Sequence, residues 1–314
     1  AIKMLRPDVM TDVEAVERFT REARAAAKLK SEYVAKVSDV VYQDGVPFMV
    51  MEFLEGEDVG QLLEERHALP IPWATELVLQ AAEALAEAHS IGIVHRDVKP
   101  SNLFVTWRPD GSALVKVLDF GISKSPMGTD MKLTQTQSVL GTPAYMSPEQ
   151  MRSAHLVDSR SDIWSLGSVL FEMIEGHRAF EADSFSEMCV KVAVDPPQPM
   201  QKAPPALAAI VMRCLEKRPE DRFQTLAELG EALVPFAQNA QIAQQLVTRM
   251  TRVLGRTSNV SWDPPPDASL RGAMTMPVGR GRRERRVRWP LAIAVLAIGA
   301  IGPAPVVVKL SAGP

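Results

Sequence analysis

Apolar residues recur with a helical period over residues 14–30, where Val16, Phe19, Ala23 and Ala26 line one face of a segment rich in Ala, Arg and Glu. The period then shortens. Residues 37–42 and 46–51 are runs of branched and aromatic side chains on either side of Gln43, Asp44 and Gly45, which predicts a β-hairpin. Ala1 opens inside a further strand pattern, so residues 1–52 are expected to be a small mixed sheet with one helix, belonging to a longer chain. Beyond Gly56 the pattern is helical. Residues 73–89 carry apolar side chains at 77, 78, 81, 85 and 88 and stop at Gly92; residues 162–175 repeat the style and stop at Gly176. Further helices are predicted over 184–193, 205–216 and 225–236. Two strands, 103–106 and 114–118, flank Pro109, Asp110 and Gly111. No repeat of solenoid period is present.

From about residue 238 the pattern weakens into a Gln-, Ser- and Pro-containing stretch that includes DPPPD, and residues 238–288 read as a linker. Residues 289–308 then contain no charge over 20 residues, directly behind RGRRERRVR with its six arginines. About 20 apolar residues cross the roughly 30 Å hydrocarbon core, and the arginines would hold their side in the cytoplasm. The expectation is a single transmembrane helix over 289–310, placing the protein in the inner (cytoplasmic) membrane with the preceding domain in the cytoplasm. The competing reading is a basic tail followed by a core-seeking segment, which Pro303 and Pro305 favour.

Charge sharpens this division. The net charge of -3 combines +7 for residues 271–314 with -10 for residues 1–270. An acidic body argues against nucleic acid as a partner. Two cysteines, Cys189 and Cys214, make no disulfide framework and match no metal spacing, so they read as reduced packing residues.

The candidate chemistry lies in IVHRDVKPSNLFVTWRPDGSALVKVLDFG, residues 93–121. Asn102 enters the first strand of the second hairpin and Asp119 leaves the second. An antiparallel return brings both to one end, about 5 Å apart at the backbone. A carboxylate and an amide oxygen that converge, with room for phosphate and water, suit a hard ion such as magnesium.

Three motifs follow in order: HRDVKPSN at 95–102, DFG at 119–121 and GTPAYMSPE at 141–149. Over roughly residues 1–237 the chain resembles the protein-kinase superfamily, specifically the eukaryotic-like serine/threonine kinases of bacteria. The resemblance implies an α+β, two-lobed protein-kinase fold. Its small β lobe, 1–54, would be incomplete, its helical lobe, 55–237, large, and the linker and transmembrane helix would follow. It implies transfer of the γ-phosphoryl group of Mg-ATP to Ser or Thr hydroxyls of protein substrates. Asp97 would accept or orient the acceptor proton, Lys99 would neutralise the transferred group, and Asn102 and Asp119 would hold Mg²⁺. Ala1, Ile2 and Lys3 match the end of the V-A-I-K element, making Lys3 the ligand of the inner phosphates with Glu22 as its partner. In the hinge MEFLEGED, Met51 would line the back of the adenine pocket, and Glu52 and Leu54 would offer backbone groups. Asp58 would reach the ribose, with Phe104 as the floor.

Further residues follow from the same resemblance. Arg96 beside Asp97 implies activating phosphorylation at Thr134 or Thr136, among Thr129, Thr134, Thr136 and Ser138, with a dimer as the route to trans-autophosphorylation. Thr142 would bond the catalytic loop, Glu149 would pair with Arg222, and Asp162 would anchor the catalytic-loop backbone. The glycine-rich loop that covers the phosphates in the family has no counterpart after Ala1, so these 314 residues alone are expected to bind ATP poorly. The alternative function is a non-catalytic kinase-like scaffold or inactive fragment; a small-molecule phosphotransferase fits the long segment before SPE less well.

Overall fold

The computed structural model describes residues 1–5, 12–43, 46–120, 143–153 and 156–255, with the backbone of Val307–Val308. Strand β1 (Ile2–Met4) is followed by helix α1 (Val13–Ala26) and the hairpin β2 (Val37–Gln43) and β3 (Val46–Met51). β1 pairs antiparallel with β3, setting Lys3 opposite Met49, and its other edge takes the two-residue strand β7 (Val307–Val308), giving the order β2-β3-β1-β7. Phe19, Ala23 and Ala26 of α1 pack on Val37 and Met49 of this sheet. That is the apolar face the helical period marked, although α1 stops at Ala26, four residues before the expected end.

The larger layer begins with β4 (Gly56–Asp58) and α2 (Val59–Arg66), then α3 (Ile71–Ser90), β5 (Leu103–Trp107) and β6 (Ala113–Val117). β4, β5 and β6 form a second antiparallel sheet in that order. Helices α4 (Pro148–Arg152), α5 (Ser159–Glu175), α6 (Phe185–Val194), α7 (Pro205–Cys214), α8 (Leu226–Leu233) and α9 (Ala240–Gly255) complete it. α3 and α5 are buried almost all round, as their runs of Leu, Val, Ala and aromatic residues require. Gly167 lets α7 approach α5, since a Cβ there would stand 2.4 Å from Cys214 Cβ. Gly176 ends α5 at φ 78°, its N–H donating to Glu172 O at 2.8 Å.

One expectation is corrected. The linker expected from residue 238 is a helix from Ala240 to Gly255: Asn239 accepts from the N–H groups of Gln241 and Ile242, and Ala243, Leu246, Val247 and Met250 are buried. Those four positions are a helical stripe that intervening glutamines obscured. The span expected over 289–310 is described only at Val307–Val308, which pair as strand with β1. Among the described residues no helix is long and apolar enough to cross a membrane, and the rest of the expected span lies outside them. The two sheets are joined where the chain leaves α1: Ala35 N donates to Val117 O at 3.0 Å and Val117 N to Tyr33 O at 2.7 Å.

Candidate active site

The site forms where β6 ends beneath the first sheet. Leu118 N donates to Asn102 O at 2.9 Å, so the segment after β6 is bonded to the turn that precedes β5. The hairpin geometry read from the sequence is therefore present. Asp119 follows with φ 49° and Arg96 stands at φ 65°, left-handed conformations uncommon for residues with a Cβ and concentrated at functional sites.

Asp97 is held on several sides. Asn102 Nδ2 donates to Asp97 O at 2.8 Å and to Asp97 Oδ2 at 3.1 Å, and Lys99 Nζ lies 3.2 Å from the same Oδ2. With its nitrogen committed to Asp97, the Asn102 side chain has its Oδ1 to offer a cation. Asp97 N donates to His95 Nδ1 at 3.2 Å; that ring nitrogen is an acceptor, so Nε2 carries the hydrogen and donates to Leu118 O at 2.9 Å. Complete burial lowers the His95 pKa, against the pull of Asp162, and keeps this neutral tautomer. The fully buried Asp162, near the start of α5, accepts from His95 N and Arg96 N at 2.9 Å each and bonds His89 Nε2 at 2.7 Å. Burial would raise its pKa, but these bonds, that to His89 first, outweigh it, and the carboxyl is held below the usual range. From α4, Gln150 Nε2 donates to Arg96 O at 2.8 Å.

The first sheet supplies the cation. Lys3 Nζ lies 2.6 Å from Asp119 Oδ1 and 3.0 Å from Glu22 Oε1 of α1, and its side chain is 9% exposed. Burial alone would lower the Lys3 pKa; the two carboxylates, Asp119 ahead of Glu22, reverse this and the ammonium is stabilised. Glu22 nevertheless also moves upward, chiefly by burial, with Asp119 and Asp97 adding to it. Three carboxylates, Glu22, Asp97 and Asp119, thus face two ammonium groups, Lys3 and Lys99, so the cluster has room for further positive charge.

A divalent ion fits that excess. Among the described residues no three His, Cys, Asp or Glu side chains form a metal cluster, and a divalent cation at Asn102 and Asp119 would need phosphate and water oxygens to complete its shell. That is how magnesium is commonly bound.

The hinge residues divide. Met51 ends β3, its N bonded to Ala1 O at 2.9 Å, and with Met49, Val37, Val117 and Phe120 it bounds the apolar recess above Asp119. Phe104 lies opposite Asp58 in the β4–β5 pairing. Glu52 places its carboxylate 2.8 Å from Lys116 Nζ and also accepts from Lys36 N at 2.7 Å; Leu54 follows in the connection to β4. Asp58, expected at the ribose, uses its side chain as the N-cap of α2, accepting from Gln61 N at 3.1 Å in a capping box. Thr129, Thr134, Thr136, Ser138 and Thr142 lie outside the described residues. Glu149 and Arg222 pair through two 2.8 Å bonds. The sequence reading missed His89 and Gln150, and also a cleft of about 450 Å³ beside Lys99 lined by Tyr145, Glu172 and Arg178. His89 was hidden by its place at the end of the buried helix α3.

The family profile described as protein kinase domain matches residues 1–233. The chain belongs to the protein kinase family. It is 35% identical over 313 residues to the serine/threonine-protein kinase PknB of Mycolicibacterium smegmatis, covering 95% of this chain and 48% of that protein. It is 39% identical over 233 residues to the probable serine/threonine-protein kinase CPE1738 of Clostridium perfringens, covering 73% and 33%. With the serine/threonine-protein kinase pkn3 of Myxococcus xanthus it shares 39% identity over 230 residues, covering 70% and 42%. The chain thus spans half or less of each of these relatives. Among solved structures, Rad53 1-466 in complex with AMP-PNP aligns with a TM-score of 0.55 at 24% identity, over 68% of this chain and 53% of that one, a likeness of fold. Within the matched residues Lys3 contacts Glu22 and Asp119, and Asp97 contacts Lys99 and Asn102.

Proposed function

We propose that the protein is a serine/threonine kinase that moves the γ-phosphoryl group of Mg-ATP to Ser or Thr hydroxyls of proteins. The observation that carries this reading is the Lys3 ammonium held by Glu22 and Asp119 directly above the Asp97–Asn102–Lys99 network. Lys3 orients the inner phosphates, with Glu22 fixing the position of its ammonium. Asp97 sets the acceptor hydroxyl in line and takes its proton as the new O–P bond forms and the bond to the ADP oxygen breaks. Lys99, 3.2 Å from Asp97, offsets charge on the transferred group. Asn102 and Asp119 would hold magnesium, which would supply neutralisation of the phosphate charge. His95 and Asp162 bind no reactant; they fix the backbone from which Asp97 projects.

Several finer features belong to the same proposal. Autophosphorylation falls on Thr134 or Thr136, and Arg96 is the residue to receive the phosphate: no carboxylate of the described residues pairs with its guanidinium. Two copies acting on one another would accomplish it. The uncharged run behind six arginines supports a membrane tether with the kinase domain in the cytoplasm, an arrangement in which Val307 and Val308 leave β1, tested by whether the protein partitions with membranes after alkaline washing. The activity is tested by labelled phosphate incorporation into protein by the complete polypeptide and its Asp97→Asn variant. A loss of about 10²- to 10⁴-fold is expected, the usual contribution of a positioned base. Equal incorporation by the two would refute the assignment.

A further inference from the structure

On the face of the helical lobe away from Lys3 lies an aromatic surface that phosphoryl transfer does not use. Trp107 ends β5 in phase with the core residues Leu103 and Val105, yet it is 52% exposed. Its ring stacks on Trp73, near the start of α3, with centroids 6.4 Å apart and planes 26° from parallel. The Arg66 guanidinium, at the end of α2, lies 5.3 Å from the Trp73 ring, and Arg108 follows Trp107 in the chain. No carboxylate of the described residues pairs with Arg66. The Arg108 guanidinium is turned to Glu32 at 3.0 Å and to the Tyr33 ring, so the two stacked indoles form a shelf that is apolar in the middle and cationic at its Arg66 margin. Proline-rich segments dock on such aromatic surfaces, because the polyproline conformation is preformed and costs little entropy to bind.

The chain carries a segment of matching chemistry. Residues 263–267, DPPPD, lie outside the described residues and place one carboxylate at each end of three prolines. In a polyproline helix the two carboxylates stand about 12 Å apart. The shelf is also within reach. Arg249 of α9 lies 3.6 Å from Glu32, and Glu32 lies 3.0 Å from Arg108, so α9 passes beside the residue that follows Trp107. The eight residues from Gly255 to Asp263 can extend roughly 28 Å. The geometry points to residues 263–267 docking on the Trp73–Trp107 shelf of the same molecule, the prolines against the indoles and one of the flanking carboxylates, Asp263 or Asp267, toward Arg66. The tail after α9 would then be fastened to the helical lobe at a surface remote from the nucleotide.

The test needs no catalytic readout. A labelled peptide of sequence SWDPPPDAS is titrated by fluorescence anisotropy into the 314-residue chain and into its Pro264→Ala/Pro265→Ala/Pro266→Ala variant. In the wild type the tethered segment competes at high local concentration, so the triple variant should bind the peptide at least about tenfold more tightly. Adding Trp107→Ala to the triple variant should abolish that binding without moving its thermal melt, since Trp107 is half exposed. Arg66→Glu, expected to weaken binding, is the second variant should Trp107→Ala fail to fold. Equal affinity for wild type and triple variant, no binding to the triple variant, or binding indifferent to both shelf substitutions would each overturn the proposal.

Discussion

Replacing Glu149 by Gln should cost the helical lobe more than any surface substitution. Arg222 is completely buried, and its guanidinium makes five hydrogen bonds: two to Glu149 and one each to the carbonyls of Glu216, Arg160 and Lys217. It also stacks on Trp164 at 5.0 Å. The Glu149 side chain is 8% exposed and accepts from Ser161 Oγ at 2.6 Å as well. Glutamine keeps the shape but removes the charge and turns an N–H₂ toward the guanidinium, stranding a buried cation. Breaking one half of such a pair costs about 3–5 kcal/mol. For a domain of this size each kcal/mol moves Tm by about 2–4 °C, so a fall of roughly 6–20 °C is expected in a calorimetric or circular dichroism melt. The pH dependence fixes the cause. Burial pushes the Glu149 pKa up, but the Arg222 bonds outweigh it and hold the carboxyl below its ordinary 4.5. Its contribution is therefore present above the unfolded value and is lost as pH falls through the lower folded value. Glu149→Gln should differ most from wild type at neutral pH and converge with it in acid. The double replacement Glu149→Met with Arg222→Leu should recover part of the loss, because no buried charge remains. A single variant within about 1 kcal/mol of wild type, or a gap that persists unchanged in acid, would refute the reasoning.

Deleting residues 240–255 should destabilise the protein although it removes nothing from the active site. Leu246, Val247 and Met250 are each at most 3% exposed, and burial of such side chains is worth about 1.5–3 kcal/mol apiece; a urea midpoint unchanged by the deletion would count against the packing role of α9. Asp162→Asn should lower phosphate transfer while leaving nucleotide affinity within about threefold, because Asp162 bonds the backbone of His95 and Arg96 and touches no phosphate ligand. A variant with unchanged turnover would remove Asp162 from the positioning network.

Legibility in the sequence followed how local each signal was. The Asn102–Asp119 convergence needed only two strands and a turn, and it appears as the Leu118–Asn102 bond. Lys3 and Glu22 were paired by motif order alone, since no local pattern brings β1 to α1. α9 was missed because Gln241, Gln244 and Gln245 interrupt its apolar stripe, and α3, on which it packs, lies far away in sequence. Asp58 was assigned outward to a ligand, whereas the start of α2 required a cap, a need visible in the D-x-x-Q spacing of Asp58 and Gln61. The charge excess around Lys3 could not be read at all: Asp97, Asp119 and Glu22 come from three separate segments, and only the fold makes them neighbours.

Isothermal titration of ATP into the wild type, Lys3→Met and Asp119→Asn, each with and without magnesium, tests most directly whether these residues form one phosphate site. The complete wild-type polypeptide should bind tightly only with the metal, Lys3→Met in it should weaken binding at least about tenfold under both conditions, and Asp119→Asn should lose the metal dependence. Equal affinities across all three proteins, with magnesium making no difference, would contradict the site.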